Sequence, residues 1–375
     1  MAPSSPSSSS PSLSSSLLSS SLLSSASGPI EVTTIACRDG TTLPLWRVGS
    51  RRASRAIILC HGFVQNAQAW SVPSRSLSTY LHSGGRDPGA RSAVEPGGHR
   101  HHDDADNDNV AVYLMEVRGR RSATAHHDLL TTVDQDAVAV VDAVAARHAR
   151  VAWVGHSMGG LIGAALPPPA ADRLAALCVL GTPLLPGRTA LHGRAVISSL
   201  LRFGRAMGAR GYAFDGARYA RGFVVGRRLL DTPVATLTPL PLWRPGSFVD
   251  DADLHHTLAH AFANDSHDVF ADLIDLVRTN GVHAGRLPMT ARLQGLRAPL
   301  LAIAGTVDAL APPDSVRALY ARVGSADKTF LEVNAGHIDL IVGDDAPRTV
   351  WGPLREFLDE HLGSRRRPTA RVPTA

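Results

Sequence analysis

An α/β fold, a mostly parallel sheet flanked by helices and carrying an inserted helical cap, is what this 375-residue sequence predicts. Three observations carry the prediction. Short, continuous apolar runs recur along the chain, as strands buried on both faces require. Segments of helical period separate them, which implies right-handed crossovers and a parallel sheet. One long region, residues 184 to about 297, breaks this rhythm before it resumes. With 44% hydrophobic and 19% charged residues, the chain has enough apolar side chains for a sizeable core.

Residues 1–28 are mainly Ser with Pro and a few Leu pairs, a composition that cannot offset the entropy of ordering, so a disordered leader is expected. No Lys or Arg precedes Arg38 and Ser interrupts the Leu pairs, which does not match a secretory signal. A cytoplasmic location is the expectation, with an organellar targeting role for the Ser-rich stretch as the alternative. The first part of the core spans residues 29–183. It opens with EVTTIAC and TTLPLWRV around Arg38-Asp39-Gly40, a β-hairpin pattern. AIILC at 56–60 is a buried strand ending in His61-Gly62-Phe63, and helical spacing follows from about Trp70 to Leu81. Residues 85–109 form an insertion loop. Its GGHRHHDDADNDN stretch places His99, His101 and His102 beside Asp103, Asp104 and Asp106, but with no ordered ligand spacing, so a solvated loop is favoured over a metal site.

VAVYLMEV at 110–117 is the next strand, and a helix is expected from about Val133 to His148. VAWVG at 151–155 leads into a helix from Met158 to Leu166, ended by three prolines, and LAALCVLG at 174–181 closes the series. The 184–297 region, with its proline-rich TPLPLWRP, is expected to be a cap or lid. A second part of the core, 298–363, contains PLLAIAG, a helix near Ser315 to Val323, TFLEV, and a last helix from about Pro347 to Leu362. A basic tail, 364–375, ends the chain.

The net charge of +5 raises the question of an anionic partner. Arg residues are scattered, with only small groups such as Arg51-Arg52 and Arg365 to Arg367, Lys328 is the only lysine, and no nucleic-acid surface is expected. Cys37, Cys60 and Cys178 are odd in number and sit in apolar stretches, so buried thiols are expected rather than a disulfide framework. No apolar run is long enough for a transmembrane segment. Oligomeric state is not readable.

Gly155-His156-Ser157-Met158-Gly159 matches G-x-S-x-G directly after a strand and before a helix. At such a turn the serine is forced into a strained conformation, and only small neighbours allow strand and helix to approach. Ser157 is the expected nucleophile. Its hydroxyl needs a base held by a carboxylate, and the expected chain order is Ser, acid, His. Asp308 follows PLLAIAG and His337 follows TFLEV, so both can converge at the carboxyl edge of the sheet. Asp339, Asp344 and Asp345 are local rivals to Asp308. The oxyanion donors expected are the backbone N–H groups of Phe63 and Met158, with His61, Gly62 and His156 as substrate-binding neighbours. Phe262 to Asp268 reads as helix capping rather than substrate contact, and Trp70, Trp243 and Phe248 line either an acyl pocket or the core.

These blocks resemble the α/β-hydrolase superfamily over about residues 45–183 and 297–363. HGFVQNAQAW, EVRGR, GHSMGG and GHIDLIVG are similar to polyhydroxyalkanoate synthases and their hydrolase-like relatives, with Ser157 where the synthases carry Cys. The resemblance implies a serine hydrolase acting on a small-molecule or lipid-like carboxylic ester, without cofactor or metal. Acyl transfer, including polyester chemistry, and a non-catalytic binding protein are the competing expectations.

Overall fold

The computed structural model describes residues 30–85, 110–120, 126–184, 214–215, 242–244, 246–247 and 250–363. The Ser-rich leader, the His99 to Asp106 cluster, much of the expected cap, Phe248 and the basic tail lie outside the described residues.

Eight strands form one sheet: β1 (Glu31–Ala36), β2 (Thr42–Val48), β3 (Arg55–Cys60), β4 (Val110–Met115), β5 (Arg150–His156), β6 (Leu174–Leu180), β7 (Leu300–Gly305) and β8 (Lys328–Val333). Their spatial order is β1-β2-β4-β3-β5-β6-β7-β8. β2 runs antiparallel to both neighbours, and every other pairing is parallel. Gly40, at φ 82°, makes the β1–β2 hairpin turn, a conformation that costs glycine nothing.

The apolar runs stay continuous because both faces of the sheet are covered. Ile58 and Cys60 of β3 and Trp153 of β5 pack into one core, while Ile57, Leu59 and Val154 pack into the other, following the period of two. Helix α1 (Leu77–His82), α2 (Val138–Ala145), α3 (Met158–Ala164), α7 (Pro313–Arg322) and α8 (Gly352–Leu362) flank the sheet. Between β6 and β7 the described residues carry three more helices, α4 (Asp251–His260), α5 (His267–Arg278) and α6 (Met289–Gly295).

Two expected helices differ in detail. The one expected over Trp70 to Leu81 is broken into a tight turn at Ala67–Trp70, a two-residue antiparallel ladder (Ser71–Val72 with Arg75–Ser76) and α1. Pro73 explains the break: it lacks an N–H and drives the preceding Val72 out of helical conformation. The helix expected from Val133 begins earlier, at Leu129, and passes through a π-helical stretch at Thr132–Ala137 before α2. Within that stretch Asp136 is fully buried, accepting from Arg118 Nε at 2.7 Å and from the Arg118 N–H at 3.2 Å.

The strand order decides where a site can form. From β3 the chain moves to β4 on one side and then back to β5 on the other, so the connections leaving β3 and β5 diverge. A crevice opens at their carboxyl ends. His61 to Asn66 leave β3 there, and Ser157 leaves β5.

Candidate active site

Ser157 joins β5 to α3 with φ 53° and ψ −120°. A non-glycine residue held there costs about 1–3 kcal/mol, so the surroundings must enforce it. The Ser157 N–H donates to Leu180 O at 2.9 Å, and its carbonyl accepts from the Gly160 and Leu161 N–H groups at 3.1 and 3.3 Å. A Cβ on Gly159 would strike the backbone carbonyls of Cys60 and His61, and one on Gly155 would strike the backbone of Gly159. Backbone cannot step aside as a side chain can, which explains glycine at both positions.

Asp308 and His337 lie in the loops after β7 and β8, where both are buried. His337 Nδ1–H donates to Asp308 Oδ2 at 2.7 Å, while Asp308 Oδ1 accepts from the Leu310 and Ala311 N–H groups, each at 2.8 Å. The carboxylate is thereby aimed, and the imidazole presents Nε2 outward from it. The rivals are occupied elsewhere. Asp339 accepts from the Gly336 and Arg244 N–H groups at 2.7 Å each and from Ser247 Oγ at 2.6 Å; Asp344 and Asp345 pair with Arg75 and Arg244. Burial raises the Asp339 carboxyl above its ordinary range. Asp339 is thus a brace for the loop carrying His337, a role that GHID did not announce.

The three segments meet. His156, the residue before Ser157, packs against His337 with ring centroids 4.6 Å apart and planes tilted by 50°, and its Nε2 lies 3.0 Å from the His337 carbonyl. Gly181, next to the Leu180 that holds Ser157, has room for nothing larger: a Cβ there would lie 3.1 Å from Asp308 Oδ2 and 3.3 Å from His337 Nδ1. The Ser157 hydroxyl and the His337 imidazole are not hydrogen-bonded in this state; such bonds often tighten only when a ligand arrives.

The loop after β3 is set by peptide planarity. Gly62 O accepts from His61 Nδ1–H at 2.9 Å and from the Gln65 N–H at 3.3 Å. In a trans peptide the next N–H points the opposite way, so these two bonds aim the Phe63 N–H. Gly62 also faces Ser157 closely, with a Cβ position 3.1 Å from the Ser157 Cβ. The Met158 N–H, in the first turn of α3, is not consumed by the helix ladder.

His61 and His156, expected as substrate-binding neighbours of Ser157, are held inside the protein. Both are buried with both ring nitrogens engaged: His61 Nε2 accepts from the Val117 N–H at 3.3 Å, and His156 Nδ1 lies 3.0 Å from Gln65 Oε1. Burial, with the charge of nearby Arg120, pushes the His61 imidazole down to about 3; burial and the neighbouring His337 push His156 well below the usual range. They are struts. Trp70 is fully buried and belongs to the core, whereas Trp243 is half-buried with its backbone against Gly336. Ser266 caps α5, its side chain accepting from the Asp268 N–H at 3.2 Å, while Asp265 of the same stretch accepts from the Val64 N–H in the loop after β3 and pairs with Arg120. All three cysteines are free and buried, with the Cys37 thiol raised to about 12 by burial and by Asp136. Among the described residues no cluster of three or more His, Cys, Asp or Glu could hold a metal ion, and no helix is long and apolar enough to cross a membrane.

The sequence profile of the alpha/beta hydrolase fold family matches residues 103–344, more than half of the chain. The chain belongs to the alpha/beta hydrolase fold family. No curated protein matches it. Among solved structures, this hydrolase is similar to a membrane phospholipase A described as a bacterial virulence factor, at 15% identity and TM-score 0.54, covering 88% of this chain and 86% of that one. It is also similar to a hydrolase from Pseudomonas aeruginosa PA01, at 17% identity and TM-score 0.53, covering 89% and 99%. DcsB, solved with its substrate analogue, aligns at 15% identity and TM-score 0.52, covering 90% and 100%. At these identities the likeness is one of fold.

Proposed function

We propose that this alpha/beta hydrolase is a serine esterase that cleaves a small-molecule or lipid-like carboxylic ester through an acyl-enzyme on Ser157. The observation that carries the reading is the Asp308 to His337 hydrogen bond of 2.7 Å beside a serine held at φ 53°. Asp308 fixes the tautomer with the proton on Nδ1, so Nε2 of His337 is the base that takes the Ser157 proton as the hydroxyl attacks the ester carbonyl. The carbonyl oxygen becomes an oxyanion, for which the Phe63 and Met158 N–H groups are the donors. Collapse expels the alcohol, which takes the proton from His337, and water then releases the acid by the same steps. Asp339 and His156 keep the His337 loop in register. An acyl group is the cargo in this reading, and water is its acceptor.

Ser157→Ala tests this directly. The wild-type chain is expected to hydrolyse p-nitrophenyl esters and to be labelled by a fluorophosphonate on Ser157, and the variant to do neither. Esterase activity unchanged in Ser157→Ala would overturn the assignment, and exchange of the acyl group onto an added alcohol in preference to water would replace hydrolysis with acyl transfer.

A further inference from the structure

We propose that Asp265, paired with the buried Arg120, is a positioning residue that holds the oxyanion loop in shape from the segment inserted between β6 and β7. The proposal rests on the esterase reading above. Val64 follows Phe63 and has φ 51°, a conformation that a β-branched residue adopts only under constraint. Both of its backbone groups are gripped by residues about two hundred positions later. Its N–H donates to Asp265 Oδ2 at 2.9 Å and its carbonyl accepts from the Ala263 N–H at 2.8 Å. Around this point the strip continues: Gln65 pairs with Phe262, the Asn66 N–H donates to Ala261 O at 3.0 Å, and Asn66 Nδ2 donates to His260 O at 2.7 Å. Phe63 itself stacks on Phe270, ring centroids 5.6 Å apart at 16°.

Asp265 differs from the rest of the strip because it is a charge. Its other oxygen accepts from the Ser266 N–H at 2.9 Å, and it pairs with Arg120, whose Nη1 also donates to Asn264 O at 2.8 Å. The side chains of Asp265 and Arg120 are 0% and 1% exposed, and among the described residues the buried Arg120 Nε and Nη2 have no hydrogen-bond partner. A buried pair with idle donors is a poor source of stability, since desolvation offsets most of the attraction. What this pair does supply is a fixed acceptor for the Val64 N–H. Gly62 O, held by His61 and Gln65, fixes the peptide before Phe63; Asp265 fixes the peptide after it. With both planes set, the Phe63 N–H has one direction, as a preorganised oxyanion donor requires.

Two double variants separate the hydrogen bond from the ion pair. Arg120→Met with Asp265→Asn removes both charges but keeps an acceptor for Val64; Arg120→Met with Asp265→Leu removes the acceptor as well. The first is expected to keep kcat within about fivefold of wild type on a p-nitrophenyl ester. The second is expected to lose about 30- to 100-fold in kcat with KM within about threefold, and to bind an aryl boronic acid, whose adduct is tetrahedral, more weakly by a similar factor. A purely structural role would affect the two variants alike, or would raise KM and leave boronate affinity unmoved, and either result overturns the proposal. If the double variants do not fold, Asp265→Glu keeps the charge pair while shifting the carboxylate off Val64. It should lower kcat at an unchanged urea midpoint, and unchanged kcat would overturn the proposal. Wild-type protein that neither hydrolyses the ester nor labels with fluorophosphonate defeats the esterase reading and this proposal with it. An active wild type with unaffected variants defeats this proposal alone.

Discussion

His61→Leu removes a side chain of similar volume whose two nitrogens each hold a backbone group. The Val117 N–H loses its acceptor at 3.3 Å inside the protein, which costs about 1–3 kcal/mol of stability. Gly62 O keeps only the longer bond from Gln65 at 3.3 Å, so the peptide that aims the Phe63 N–H is free to tilt. Losing an oxyanion donor outright costs about 3–4 kcal/mol of barrier, and a tilted one a part of that, so kcat should fall about 10- to 300-fold with KM little changed. The pH dependence makes the expectation sharper. The folded-state imidazole is depressed to about 3 by burial, so between that value and the unfolded value of about 6.5 the unfolded chain binds the proton and the folded chain does not. The stability that His61 supplies is therefore full above about pH 6.5 and is lost as pH falls, at up to about 1.4 kcal/mol per pH unit. Urea denaturation should show wild type ahead of the variant at pH 7.5, with the gap closing near pH 5. A kcat within threefold of wild type, or a stability gap that does not narrow on acidification, would refute the argument.

Other substitutions probe the remaining parts. Asp308→Asn should keep the fold, since the side chain can still accept from Leu310 and Ala311, but should lower kcat by about 10³- to 10⁴-fold in an ester assay, because the imidazole loses the partner that fixes its tautomer. Gly159→Ala should give little folded protein, judged by soluble yield and circular dichroism. Its Cβ would sit 2.6 Å from the His61 carbonyl oxygen, and overpacking against backbone costs about 1–3 kcal/mol or more. Asp272 is buried, accepts from the Leu129 N–H at 2.8 Å, and is raised to about 6 by burial, with Asp128, Asp268 and Asp275 adding like charge. Between about 3.8 and 6 the folded state holds the extra proton, so stability falls as pH rises through that window. Asp272→Asn, which keeps an acceptor for Leu129, should gain on the order of 1–3 kcal/mol at pH 8 and nothing at pH 4 in urea denaturation.

How much of this was readable from the chain follows from how local each cause is. The strands were legible because a strand covered on both faces must be apolar throughout, as Ile57 to Cys60 are. The sharp turn at Ser157 was legible because Gly155 and Gly159 are demanded within four residues of each other. Chain order singled out Asp308, whose carboxylate is the one bonded to His337. Periodicity misled where proline overrode it, at Pro73, and where a buried carboxylate sits in a π-helical stretch, at Asp136. Residue type alone does not reveal that the ring nitrogens of His61 and His156, expected as substrate-binding neighbours, are engaged by backbone groups and by Gln65. No local pattern could have joined Val64 to Asp265, since the bond closes over 201 positions.

The arrangement has a common logic. The groups proposed to move protons, Ser157 and His337, are few, while most of the ordered polar side chains near them serve to fix peptide planes: His61 for Gly62, Asp265 for Val64, Asp339 for Gly336. Backbone N–H groups make good oxyanion donors because they carry no charge to be desolvated, but a peptide in a loop can tilt by tens of degrees at little cost. Buried acceptors and donors remove that freedom during folding, so reorganisation is not required at the moment of reaction. On this account the esterase rate should be more sensitive to substitutions at these fixing groups than to changes in the apolar residues between them, even where both cost the same stability. Pairing His61→Leu with a core truncation of equal urea midpoint, such as Ile57→Val tuned with a second site, would expose the difference as a loss in kcat for the first alone.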